Sequence, residues 1–365
     1  MNSHGQNRHA RVSIDLSAIR YNYQKLKSLS GENKLIAVVK ADAYGHGAIQ
    51  VAKALPDADA FAVAAVGEAV SLRENGIKQK ILVMGGFIST AELQTCIDHQ
   101  LDPVIHQQFH IECLRTNQEL KQMQIWMKID SGMGRLGFSV DAVSDAVDYL
   151  NGLSSLGQIR MMSHLASADE IDNKQTKKQI ETIANLKLDS YEWGISNSAG
   201  ILGWPKSHKT WIRSGIAMYG ANPMSNRKEI RQRLRPAMTM KTSVLAVNQH
   251  YKGDVIGYSG AYTCPEDMTI AVIAAGYADG YPRLKTQTSQ VNIQGQLCSV
   301  VGRVSMDMIT VDVSVLENVK VGDEVCLFGV NPEAEDIADD SLTIAYEIFC
   351  NVGAHVKREY VGTEK

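Results

Sequence analysis

Long apolar runs are missing from this 365-residue chain. No window offers the ~20 uncharged apolar residues of a membrane span, and the opening MNSHGQNRHARVSIDL lacks the apolar core of a signal peptide. The expected location is the cytoplasm. An excess of one charge is missing too: 37 Lys plus Arg face 40 Asp plus Glu, net -3, dispersed along the sequence. Nothing forms an electrostatic footprint for nucleic acid or an anionic membrane. Clustered cysteines are also absent. Cys96, Cys113, Cys264, Cys298, Cys326 and Cys350 stand singly, with no C-x-x-C and no Cys/His group at zinc spacing. Reduced thiols and no metal site are expected. Repeats and low-complexity tracts are lacking, and no G-x-G-x-x-G follows the first apolar run, which argues against a dinucleotide-binding open sheet.

What remains is an ordinary globular composition, 44% apolar and 21% charged, in a chain long enough for about two domains at ~150 residues each. From about residue 35 to 220, short apolar runs alternate with segments of helical period. The runs are 35–39, 60–65, 80–85, 102–106, 125–130, 159–165, 191–196 and 211–220. Between them stretches such as GAIQVAKAL, GEAVSLREN, STAELQTCIDH, VDAVSDAVDYL and KQTKKQIETIANLK place apolar residues three and four apart. Strand-helix alternation repeated eight times predicts a TIM-type (β/α)8 barrel. Beyond Pro236 the texture changes to strand-like runs punctuated by Gly, Asn and Asp, including VIGYSGAYT, MTIAVIAAGYADG and LCSVVGRVSMDMITVDV. The sequence therefore divides into a barrel at 12–236 and a β-domain at 237–365, with residues 1–14 expected to pack with the latter. The linker falls at 222–236.

Barrel enzymes carry their chemistry after the strand C-termini. The first strand ends in VVKADAYGHG, where Lys40 closes an apolar run. Desolvation there would lower its pKa and free the amine for nucleophilic or Schiff-base chemistry; the alternative is a lysine snorkelling to solvent. SNSAG at 196–200 and RSGIAMYG at 213–220 follow the seventh strand and end the eighth. Barrels commonly bind phosphate at these positions, to which Ser198 and Gly215 are suited, although small residues also serve packing alone. A reactive lysine facing a phosphate cradle points to pyridoxal phosphate.

These residues carry a family resemblance. AVVKADAYGHG (37–47), MKIDSGMGRLGF (127–138), SNSAG, IRSGIAMYG, GYSGAYT (257–263), GYADGYPR (276–283) and GRVSMDM (302–308) resemble alanine racemase, a pyridoxal-phosphate family, in the right order from about Val12 to Tyr360. The resemblance implies racemisation of L- to D-alanine by two bases, supplying D-alanine for peptidoglycan. Lys40 would hold the cofactor and serve one face of the substrate; Tyr258, from the partner subunit of a homodimer, would serve the other. Tyr44, Ser198 and the amides of Gly215 and Ile216 would hold the phosphate. Arg213 would meet the pyridine nitrogen, Arg135 the phenolic oxygen, and His164 the cofactor ring. Met306, with Asp307 beside it, matches the substrate-carboxylate contact, and Tyr277 would line the entrance. Lys128 matches a lysine that is carbamylated in some members. One departure stands at AHVKR, residues 354–358, where Ala354 replaces a family tyrosine that helps bind phosphate. A serine or broader amino-acid racemase, a decarboxylase of the same architecture, and a non-enzymatic cofactor-binding protein are the competing readings.

Overall fold

The computed structural model describes residues 8–117, 119–226, 234–284, 286 and 288–363. The chain divides into two compact units: one runs from Ile19 to Leu234, and the other joins the residues up to Ala18 to those from Arg235 onward. Residues 227–233 of the 222–236 linker lie outside the described residues. The first strand, Arg11–Asp15, pairs with Met238–His250 and with Lys357–Val361, so it belongs to the second unit rather than opening the barrel at residue 12.

The first unit is a closed barrel of eight strands: Lys34–Val38, Ala60–Val63, Lys80–Val83, Asp102–Ile105, Met123–Lys128, Leu156–Met162, Trp193–Gly194 and Trp211–Ser214. Each pairs in parallel with its sequence neighbour, and the last closes on the first through Ile36 opposite Arg213. Parallel strands are buried on both faces, which is why they read as unbroken apolar runs. Two of the expected runs shrink. The seventh keeps only two residues, and the eighth turns at Gly215 into the single-turn helix Ile216–Tyr219. Two helices escaped the periodicity reading, Leu16–Leu29 and Gln108–Thr116. The helix Thr90–Asp98 starts at Ser89, whose Oγ accepts from Glu92 N, and Lys174–Asn185 starts at Asn173, whose side chain caps Gln175 and Thr176.

In the second unit six antiparallel strands close into a ring: Met268–Ile273, Ile309–Asp312, Gln296–Val301, Gln290–Ile293, Glu324–Phe328 and Met238–His250. The region after Pro236 is mostly β, as expected, with short helical interruptions. Ala334–Asp340 and Ala345–Cys350 are helices, too short for a periodic signal. VIGYSGAYT is not one strand either: Ser259 takes φ 61° and the chain turns at Tyr258–Gly260. No described helix is long and apolar enough to cross a membrane. All six cysteines are free.

Candidate active site

Lys40 stands immediately after the first barrel strand. Ala41, Asp42, Ala43 and Tyr44 then adopt four successive left-handed conformations, with φ between 51° and 55°. For L-residues this costs about 1 kcal/mol or more each, so the surroundings must hold it. Glu68 accepts from Ala41 N at 2.7 Å, and Asp42 Oδ1 accepts from Ala48 N at 2.7 Å. The turn delivers Tyr44 inward, where its buried ring lies 5.1 Å from that of Tyr219. Tyr219 is anchored in turn by donating to Val38 O, and the ring of His46 stacks on it.

The Tyr44 hydroxyl reaches the eighth-strand loop. A Cβ on Gly215 would lie 2.5 Å from it, so only glycine fits there. Ser198 Oγ accepts from Gly215 N at 3.0 Å and from Ala217 N at 3.2 Å, drawing the loops after strands seven and eight together, with Ile216 opening the following turn. Tyr44, Ser198, Gly215 and Ile216 thus converge. A cluster of cations lies in the same barrel mouth. Arg213, fully buried, donates to the carbonyls of Gly194, Ser163 and Ile195 and contacts His164 Nδ1 at 3.3 Å. Burial lowers its pKa to about 10, which leaves it protonated at neutral pH. Burial together with the charges of Arg213, Arg135 and Lys40 pushes Lys128 down to about 8. Burial first, then Arg213, Lys128, Arg135 and Lys40, drives His164 well below the usual imidazole value, so it is neutral at pH 7.

Arg135 is exposed on a glycine-rich loop organised by a residue the sequence did not single out. Asp130 Oδ1 accepts from the amides of Gly132 (2.9 Å), Met133 (2.9 Å) and Gly134 (3.1 Å), and these bonds hold its carboxyl below the usual range against a burial penalty. The D-S-G-M-G string carried that turn signal.

Tyr258, Tyr277, Met306 and Asp307 lie in the other unit, at joined turns. The Tyr258 turn packs on Gly302–Arg303, where a Cβ on Gly257 would meet Arg303 N at 3.3 Å. Tyr277 N donates to Ser305 O and Ala278 N to Met306 O. Beneath them the buried Asp279 accepts from Gly276 N at 3.0 Å and pairs with Arg8 at 2.8 Å; Arg8 also pairs with Asp307. Asp307 thus makes a side-chain ion pair rather than only holding its own turn. His355, next to Ala354, contacts Asp279 at 3.3 Å. Tyr258, Tyr277 and Met306 are exposed in their own chain.

The residues of the barrel mouth suit pyridoxal phosphate on their own chemistry. Lys40, Arg135 and Arg213 lie near enough to act on the Lys128 amine, with Asp130 as the carboxylate that opposes them, and a Cβ on Gly215 would crowd the Tyr44 hydroxyl. An anionic ligand with a phosphate group answers both features.

Comparison with known proteins agrees across the whole chain. The family described as "Alanine racemase, N-terminal domain" matches residues 14–223, and "Alanine racemase, C-terminal domain" matches 237–360. An alanine racemase from Coxiella burnetii is 39% identical over 98% of this chain and 99% of its own length. A catabolic alanine racemase from Pseudomonas putida is 38% identical over 97% and 99%. A solved alanine racemase from Bartonella henselae with covalently bound pyridoxal phosphate superposes with a TM-score of 0.88 at 28% identity, covering 97% of this chain and 99% of that one.

Proposed function

Because the chain belongs to the alanine racemase family, we propose that it interconverts L- and D-alanine using pyridoxal phosphate, moving the α-proton between Lys40 and Tyr258. The observation that carries the reading is the convergence of Lys40, the Tyr44–Ser198–Gly215 cradle and buried Arg213 in one barrel mouth.

Lys40 would hold the cofactor through its ε-amine, Tyr44, Ser198 and the Gly215–Ile216 segment its phosphate, and Arg135 and His164 its ring. When bound, the cofactor acidifies the α-proton by drawing electron density from Cα. Inverting that carbon requires a base on each face. Lys40 Nζ serves the face of D-alanine and Tyr258 Oη the face of L-alanine. A tyrosine needs a cation beside it to act as a base, and Arg135 is the cation assigned to that place. Arg213 carries donors only and stays charged, so a pyridine nitrogen placed against it would stay unprotonated, and the modest electron withdrawal that would result favours return of the proton over side reactions. Lys128, with its depressed pKa, holds a neutral fraction near pH 8; that is the form able to take up CO2 as a carbamate, releasing a proton.

Tyr258 is contributed by a second copy of the chain, with Met306 and Asp307 at the substrate carboxylate and Tyr277 at the entrance. Their exposure in the isolated chain supports this, and closed two-fold symmetry is the usual way identical chains share a site. A pocket of bulky residues admits alanine best and serine second, since one added group is discriminated by only about 1–3 kcal/mol. The proposed physiological direction is supply of D-alanine for peptidoglycan in the cytoplasm. The catabolic relative shows that the family label alone does not select it; gene deletion with D-alanine rescue of growth does. The reaction is tested with purified protein and pyridoxal phosphate. Optical rotation of L-alanine should decay to zero with α-deuterium uptake from D2O and no CO2 release. Release of CO2, or cofactor binding without loss of rotation, sinks the reading.

A further inference from the structure

Two glutamines on one barrel helix join the loops that carry Arg135 and His164. The helix Lys174–Asn185 presents Gln175 and Gln179 one turn apart, and both side chains reach the same pair of loops. Gln175 is exposed: its Nε2 donates to Gly132 O at 2.9 Å, in the loop after the fifth strand, and its Oε1 accepts from Ser167 Oγ at 2.8 Å, in the loop after the sixth. Gln179 is only 1% exposed, and both ends of its amide are hydrogen-bonded to the loops. Its Oε1 accepts from Ala166 N at 2.9 Å, while Nε2 donates to His164 O at 2.9 Å and to Ser131 Oγ at 3.2 Å. The Ala166 amide fixes which end of the Gln179 side chain is oxygen.

From Ser131 the chain of donors runs on into the centre of the site. Ser131 Oγ lies 2.8 Å from Ser163 Oγ, which donates to Ile129 O at 2.8 Å, so the direction of all three bonds is set. The carbonyl of that same Ser163 accepts from Arg213 Nη2 at 2.7 Å. One buried amide is therefore two hydrogen bonds from the residue that holds the Arg213 guanidinium, one bond from the backbone of His164, and three from Ile129 at the root of the Arg135 loop. An aliphatic residue could fill the space but make none of these bonds. A carboxylate could accept from Ala166 N but would turn oxygen lone pairs on the His164 carbonyl.

We propose that Gln179, seconded by Gln175, is a positioning residue of the racemisation site, fixing the loop of Arg135 against the segment of Ser163 and His164 and, through it, the guanidinium of Arg213. The proposal rests on the function proposed above and adds a residue that touches neither substrate nor cofactor. A displacement of about 1 Å in groups that face the reacting atoms lowers a rate by up to about a hundredfold, so the effect falls on the chemical step rather than on binding.

The test compares Gln179→Leu, Gln179→Glu and Gln175→Leu with wild type in the full dimer loaded with pyridoxal phosphate. The Gln179 variants should fold, with melting temperatures within a few degrees of wild type, and lose about ten- to a hundredfold in kcat while KM for alanine stays within about twofold. The pH profile of kcat/KM and the pH titration of the bound cofactor's absorbance should both move, and Gln175→Leu should do the same to a smaller degree. In the cofactor-free protein, hydrogen exchange at Ala166 N should quicken in the Gln179 variants. Loosened Ala166 exchange with an unchanged kcat and unchanged pH profiles would make Gln179 a packing residue and overturn the proposal. Gln179→Glu behaving as wild type would overturn it as well, and serves if the leucine variant does not fold. Failure of the underlying function is read separately, as absence of racemisation in wild type.

Discussion

The barrel and the β-unit treat their site residues in opposite ways. In the barrel, Arg213 and Ser198 are almost wholly buried, and hydrogen bonds from several loops hold Arg213, Ser198 and His164. In the β-unit, Tyr258 is 66% and Met306 54% exposed. Their backbone turns are as firmly anchored as the barrel loops, on Asp279, Arg8 and Ser305, but the side chains face outward. Burying charged groups is costly without an anion to meet them, and exposing large apolar ones is a signature of an interface. That contrast supports the proposed cofactor in the barrel and the proposed pairing of the β-unit with another copy of the chain.

Substitutions sharpen that contrast. Lys40→Ala should have the largest effect, abolishing covalent cofactor retention after dialysis and racemisation together. Retention of the cofactor's absorbance in that variant would contradict the assignment. Tyr258→Phe should leave cofactor retention intact while lowering racemisation by at least about a hundredfold, the usual contribution of a general base. Exchange of the α-proton from D-alanine should survive in it far better than exchange from L-alanine; equal loss would reverse or void the assignment of faces.

A third effect isolates the buried charge. Lys128 in the folded chain releases its proton near pH 8, whereas the unfolded chain holds it to an ordinary ~10.4, so between these values the unfolded state binds more protons and stability rises with pH. Below pH 8 the buried ammonium is a cost. In the cofactor-free protein, Lys128→Met should therefore be relatively stabilised at pH 7, and urea unfolding should show that advantage shrinking by up to about 3 kcal/mol as pH rises to 10. A wild-type-minus-variant difference that stays flat with pH would mean that Lys128 is not desolvated. The smallest effect is expected at Ala354. Replacing it with tyrosine should tighten cofactor binding by about one hydrogen bond, ~1 kcal/mol, and lower the serine-to-alanine rate ratio. Unchanged values in equilibrium dialysis and in the two assays would make Ala354 neutral.

The same two regions differ in how much of them is legible in sequence. Strands of the barrel are apolar throughout because both faces are buried, so eight runs announced the closed sheet, and Lys40 announced itself as the cation at the end of one. Helix Leu16–Leu29 was missed because it precedes the first run; Gln108–Thr116 went unread although Ile111 and Leu114 share its buried face. Gln179 sits in KQTKKQIETIAN, where nothing marks it from its polar neighbours; its role depends on two loops that only folding brings beside it. In the β-unit, turns dominate. The string GYSGAYT looked extended from its β-branched and aromatic content, whereas its glycines and the left-handed Ser259 bend it around Tyr258. Asp279 gave no signal at all, because its partners Arg8 and His355 lie 271 and 76 residues away.

The central claim is that one copy's barrel works with another copy's β-unit. Lys40→Ala and Tyr258→Ala homodimers, each inactive, should regain activity when mixed and allowed to exchange subunits. At random exchange half the dimers are hybrids, each with one intact site of two, so about a quarter of wild-type racemisation is the expected result. If mass spectrometry confirms hybrid dimers and no activity returns, the shared site is contradicted.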